Sequence, residues 1–170
     1  TNGTGITTPS DNDVLGAGVP LQDNASLSVQ NGATLSYYFV GAESFYDNTL
    51  ITAGGQTHTE NDTIPGFPGQ LLFSEVYSGG PAITLRSFDP NNGFLSPDLT
   101  PGSATTGRSI ALAYLNSDYT IASSQTNMVL FALDDDDAID DNHDDYVGVL
   151  KAVPIPAALP LFLSAIAGVG

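Results

Sequence analysis

Before residue 155 no twelve-residue stretch repeats its apolar side chains with the 3.6-residue period of a helix. The chain instead offers short apolar runs, cut by eighteen Gly and eleven Pro. Such punctuation leaves strands and turns as the available structure. "ASLSVQ" alternates apolar and polar residues and meets "ATLSYYFVG" across Asn31-Gly32. "NTLITAGGQT" contains a Gly54-Gly55 turn, and "QLLFSEVYSGGPAITLRSF" reads as two strands about Gly79-Gly80. From Asp89 to Gly107, Pro, Asn and Gly break the pattern. "RSIALAYLNSDYTIASS", "NMVLFALDD" and "DYVGVLKAV" then supply further strands. Roughly eight strands with turn signals about every 8–12 residues predict an all-β domain, a β-sandwich of jelly-roll-like form. The expected division is an extended arm or edge strand over 1–26, the sandwich over 27–151, and an apolar C-terminal anchor or assembly segment over 152–170.

Charge narrows the function classes. The 170 residues carry nineteen acids and only three bases, for a net charge of −16. Phosphate binding needs clustered Lys and Arg, so nucleic acid is excluded as a partner. Attraction to an anionic membrane surface is excluded for the same reason. Without cysteine there is no disulfide, no thiolate metal site and no thiol nucleophile. A 41% apolar fraction is enough for a packed core despite the charge. Away from the acids, polarity comes from Thr, Ser, Asn and Gly rather than Lys and Glu. That mix, with a chain beginning at Thr1, points to an exported protein whose signal peptide has been removed.

Residues 152–170, "AVPIPAALPLFLSAIAGVG", carry no charge. Their length approaches that of a membrane span, but Pro154, Pro156 and Pro160 shorten any helix to less than the ~30 Å of a hydrocarbon core. Contact with a membrane through residues 157–170, or packing against a neighbouring subunit, would cover this apolar surface. The segment Val153-Pro154-Ile155-Pro156-Ala157 followed by Leu159–Val169 resembles the PEP-CTERM sorting signals, in their VPLPA variant, of exported Gram-negative proteins. The basic cluster that completes such signals is absent here. The upstream "LFALDDDDAIDDNHDDYVGVL" is similar to the Asp-rich strand–loop–strand that precedes the signal in many of these proteins. The resemblance implies a place, the cell envelope or exterior, rather than an activity.

Eight of the sixteen Asp fall between Asp134 and Asp145. Carboxylates this dense repel one another unless protons or a cation intervene. Hard divalent ions take six to eight oxygens from carboxylates, amide carbonyls and backbone. Asp134, Asp136, Asp140, Asn142, Asp144 and Asp145 are the candidate ligands, and calcium the candidate ion. Asp140, Asn142 and Asp144 are spaced as in the first half of an EF-hand loop. Asp145 and Lys151 stand where that loop needs Gly and Glu, so a different calcium loop is implied. The rival reading is a solvated acidic hairpin that only confers solubility.

Other constellations are weaker. His58, Glu60 and Asp62 alternate onto one strand face. Tyr37, Tyr38, Phe39, Phe45 and Tyr46, beside Asp47 and Asn48, fit either core packing or a sugar-stacking surface. The common nucleophile, zinc-hydrolase and phosphate-binding motifs are missing, and a Ser-His-Asp site would need His58 or His143. These features predict a non-enzymatic extracellular or outer-surface structural protein. It would be a homo-oligomer or polymer, assembled as a filament or layer and carrying an acidic calcium loop. The alternatives are a calcium-dependent polysaccharide-binding module tied to exopolysaccharide, and an accessory subunit of a membrane complex. An exported hydrolase with a carboxylate pair is the remaining reading.

Overall fold

A computed structural model of the chain describes residues 3–8, 10, 12–60, 64–105, 107–135 and 143–155. These hold β-strands and no helix, and so no helix long and apolar enough to cross a membrane. The strands are β1 (Thr4–Thr7), β2 (Pro20–Asp23), β3 (Thr34–Gly41), β4 (Asp47–Thr52), β5 (Thr57–Thr59) and β6 (Gln70–Val76). They continue with β7 (Ile83–Asp89), β8 (Gly93–Phe94), β9 (Ala104–Thr105), β10 (Arg108–Tyr114), β11 (Met128–Asp134) and β12 (Tyr146–Val153). An eight-stranded antiparallel sheet runs β1-β2-β10-β11-β12-β3-β6, with β9 also on β10. A four-stranded antiparallel sheet runs β5-β4-β7-β8. The two face each other as a β-sandwich.

The core between the sheets follows from side-chain alternation. Leu35, Tyr37 and Phe39 of β3 point inward with Ile110, Leu112, Val129, Phe131, Leu133 and Leu150 of the large sheet. Leu50, Ile83 and Leu85 of the small sheet meet them. Each large apolar side chain so buried stabilises the fold by about 1.5–3 kcal/mol. Gly148 lies opposite Phe131, and a Cβ there would run into the ring, which stacks on Tyr146 with centroids 6.2 Å apart.

The strand β11 does not alternate between buried and exposed, because both of its faces are covered. Met128, Leu130 and Ala132 join Leu21, Val40, Ala113, Val147 and Val149 in a second apolar cluster on the outer face of the large sheet. Ile6, Val14, Leu15 and Val19 pack over it. Residues 4–7 and 20–23 thus form a hairpin, β1–β2, at the edge of the large sheet, and Val14, Leu15 and Val19 of its connection lie over the sheet as a third layer. That connection is pinned by the Thr8 amide donating to the Val19 carbonyl (3.1 Å) and the Thr8 hydroxyl donating to the Gly16 carbonyl (2.6 Å).

Two local expectations change. Residues 25–30 form no strand, although Leu27 and Val29 still pack against the core. No neighbouring strand is placed to accept their backbone groups. Gly79-Gly80 does not close a hairpin, since β6 and β7 belong to different sheets. The apolar segment 157–170 lies outside the described residues.

Candidate functional site

Pairing of β11 with β12 runs from Met128↔Lys151 to Leu133↔Tyr146. Continuous ladder pairing brings the two ends of the acidic run together at one end of the sandwich. Asp134 and Asp135 leave β11, and His143, Asp144 and Asp145 enter β12. All five are buried. His143 takes a left-handed backbone conformation (φ 56°), uncommon for a residue with a Cβ. Of the expected ligands, Asp134, Asp144 and Asp145 are brought to one end of the fold. Asp136, Asp140 and Asn142 lie outside the described residues.

Distant parts of the chain supply the polar contacts. The Asp135 amide donates to the Asp145 carboxylate at 2.7 Å. The Asp135 carboxylate accepts from the Ser44 hydroxyl (2.8 Å) and from Asn48 Nδ2. Asn48, on β4, is fully buried. Its Nδ2 also faces the Asp145 carbonyl at 3.3 Å and Glu60 Oε1 at 3.4 Å. Its backbone amide donates to the same Glu60 oxygen at 3.0 Å. Asn48 Oδ1, at the other end of that amide, is buried without a hydrogen-bond partner among the described residues. Asp144 accepts the Asp13 amide at 3.0 Å, and its carbonyl accepts the Glu43 amide at 2.9 Å.

Acceptors outnumber cations here. Burial pushes the Asp145 carboxyl up to about 9, and the charges of Asp135, Asp134 and Asp144 push the same way. Glu43 is also raised, by desolvation and by Asp13. The nearest fixed cation is Arg108, buried at the start of β10, whose guanidinium donates to Ser87 Oγ (3.2 Å) and the Pro97 carbonyl (3.3 Å). Burial lowers its pKa, while Asp135, Asp98 and Asp134 oppose that shift. Among the described residues, no three His, Asp or Glu side chains gather as metal ligands.

The remaining candidates separate. His58 Nδ1 meets the Tyr146 hydroxyl at 2.9 Å, and its ring packs against Phe39 at 5.0 Å. Burial lowers its pKa. Glu60 turns to Asn48 instead, and Asp62 lies outside the described residues. Tyr37 and Phe39 are core side chains, and Tyr38 packs on the outer face. Phe45 is 75% exposed, with the Tyr46 ring 5.8 Å away.

His143 Nε2 lies 3.0 Å from the Ser109 hydroxyl, a juxtaposition the sequence did not suggest. Asp23 Oδ1 approaches the same nitrogen at 3.8 Å, not the opposite one. In a nucleophilic triad the carboxylate orients the ring through the second nitrogen. Ser109 and His143 are also buried from any substrate.

Sequence reasoning missed Ser44, Asn48, Ser109 and Arg108. Nothing adjacent to them marks the role, because the fold brings them to the acidic run from elsewhere, Ser109 and Arg108 on β10 beside β11, Asn48 from the facing sheet and Ser44 from the loop before it, across sequence separations of 34 residues for Ser109–His143 and 91 for Ser44–Asp135. No protein-family model, curated protein or solved structure matches the chain.

Proposed function

We propose that this chain is a non-enzymatic structural domain of the cell exterior or envelope, built to assemble, whose Asp-rich hairpin is locked by a divalent cation. The observation that carries the reading is the base of that hairpin. Pairing of β11 with β12 brings buried Asp134 and Asp135 to the same end of the sandwich as buried Asp144 and Asp145, where Asn48 Oδ1 is buried without a hydrogen-bond partner among the described residues. An all-oxygen donor set favours a hard ion, calcium before any transition metal. Ligands would come from Asp134, Asp144, Asp145, Asn48 Oδ1 and the connecting residues Asp136, Asp140 and Asn142. The cation would replace the proton that burial holds on Asp145. It would fix the loop without any reaction.

Thermal unfolding in calcium, magnesium and EDTA tests this. Calcium at about a thousandfold above its Kd adds about 4 kcal/mol, a rise in Tm of about 10 °C for a chain of this size. Identical melting in all three buffers would overturn the cation reading.

A second reading is favoured by one observation. Exposed Phe45 and its neighbour Tyr46 follow Ser44, which donates to Asp135, so an aromatic surface adjoins the acidic base. That is the arrangement a calcium-dependent polysaccharide-binding module needs. Saturable binding of an acidic exopolysaccharide, lost in EDTA and in Phe45→Ala, would favour it over the purely structural reading.

A further inference from the structure

The two sheets present four edges. Two are blunted by shortness, β5 with three residues and β8 with two, and β1 has four. The fourth, β6, has seven residues and pairs only with β3 among the described strands. A long free edge offers a row of backbone donors and acceptors to another strand. Natural edges of this length are guarded by outward charge, proline or a bulge. In "QLLFSEV" there is no Lys, Arg or Pro. Its one charge, Glu75, turns away from solvent to accept from Tyr37 Oη (3.0 Å), Thr52 Oγ1 (2.9 Å) and the Gly54 amide (2.9 Å). A register shift opposite Tyr37/Tyr38 sets a bulge near Leu72, and the strand beyond it, Phe73–Val76, pairs regularly. Leu71 and Val76 are 53% and 68% exposed.

At a net charge of −16 two copies of this chain repel, so uncharged surface is where a joint between them costs least. The β6 edge is one such surface. The other is the segment following Ile155, uncharged through Gly170 and free of proline from Leu161 onward. It leaves the domain at the same end of the sheet, since Val153 pairs with Thr34 and Thr34 with Val76. Reaching its own β6 edge is hard. The direct crossing spans three strand spacings, about 14 Å, and residues 156–160 fully extended cover about 16 Å. The direct route is blocked, because Gly32 and Tyr77 continue the ladder there (2.8 Å) and Tyr77 Oη holds the following turn at Gly80 (2.5 Å). A neighbouring copy's segment meets no such obstacle.

We propose that the free edge of β6 docks the uncharged segment 161–169 of a second copy of this chain, added as a further strand of the large sheet. Donor and acceptor are different surfaces, so the contact repeats head to tail and builds an open filament rather than a closed dimer. This proposal rests on the assembling reading above and specifies its joint.

The absence of cysteine makes the test clean. Full-length chain carrying Ser74→Cys is mixed with full-length chains carrying a single cysteine at each position from 161 to 169, under mild oxidation. The expected result is a covalent dimer at alternating positions, the period-two signature of strand pairing. No cross-link at any position overturns the proposal. So does a cross-link that forms only inside a chain carrying both cysteines, which assigns the edge to the chain's own segment. In parallel, Leu71→Lys with Val76→Lys is compared with the unaltered chain by sedimentation and negative-stain imaging. Loss of polymer with an unchanged Tm supports the joint. Polymer that survives in the variant sinks the edge assignment alone. An unaltered chain that stays monomeric sinks the assembling reading and the joint together.

Discussion

Glu75 and the base of the acidic hairpin both place carboxylates against the sandwich core, and they satisfy them in opposite ways. The Glu75 carboxylate meets three donors: the Tyr37 hydroxyl, the Thr52 hydroxyl and the Gly54 amide. Gly54 is needed there, because a Cβ would collide with Glu75 Oε2. The Tyr37 hydroxyl also lies 2.9 Å from the Ala82 carbonyl and accepts the Ala53 amide at 3.3 Å. One charge is matched by donors the protein itself supplies. At the hairpin, the Asp135 carboxylate accepts from Ser44 and Asn48, Asp144 accepts the Asp13 amide and Asp145 accepts the Asp135 amide. The first site is complete on its own. In the second, burial and the charges of Asp135, Asp134 and Asp144 hold the Asp145 carboxyl far above the ordinary carboxylate range, and that makes it responsive to pH.

The largest expected effect is at the self-sufficient site. Tyr37→Phe leaves the Ala53 amide without its acceptor and removes the one hydroxyl proton that the Ala82 carbonyl and Glu75 Oε1 share. The loss is about 3 kcal/mol, or about 9 °C in Tm for this length, and calorimetry should find it equal in calcium and in EDTA. The comparison would break if calcium restored the variant.

The next effect sharpens the contrast through pH. The Asp145 carboxyl in the folded chain titrates at about 9, against an ordinary 3.8. In EDTA, between about pH 4 and 9, the folded state holds a proton that the unfolded state releases, so stability falls as pH rises through that window. Asp145→Asn flattens this decline and raises Tm at pH 8 by about 6 °C, near 2 kcal/mol. It also shrinks the response to calcium. A melting curve series that keeps its slope in the variant would assign the pH dependence elsewhere.

The smallest is Thr52→Val, which removes one of the three Glu75 donors while conserving volume. About 1 kcal/mol is lost, insensitive to both pH and calcium, and chemical denaturation is the suitable measurement.

The sandwich was legible because its signals are local. Short apolar runs set off by Gly, Pro, Asn, Asp and Ser mark β3, β4, β6, β7, β10, β11 and β12, and each of those runs forms a strand. Residues 25–30 misled because alternation reports burial of every second residue, which Leu27 and Val29 achieve without a ladder partner. The third layer did have a sequence signal. "MVLFALD" is apolar at nearly every position, as a strand buried on both faces must be. Such a strand requires a cover, which Val14, Leu15 and Val19 provide. The candidate site was only half legible. The Asp run announced itself, whereas Arg108 reaches it from the neighbouring strand and Asn48 and Ser44 from across the sandwich, through contacts that no local pattern names.

The contact between Asp144 and the Asp13 amide spans 131 residues of sequence. Contacts of such separation close late in folding, after the entropy of the intervening chain has been offset by nearer pairings. Two β2–β10 residue pairs, Asp23↔Ala111 and Gln22↔Leu112, and the apolar packing of Ile6, Val14, Leu15, Val19 and Leu21 also join the N-terminal layer to the large sheet. The acidic hairpin thus ties down the connection between β1 and β2 through Asp144. Whatever neutralises that hairpin also sets the rate at which the amides of Thr8 and Val19 exchange with solvent.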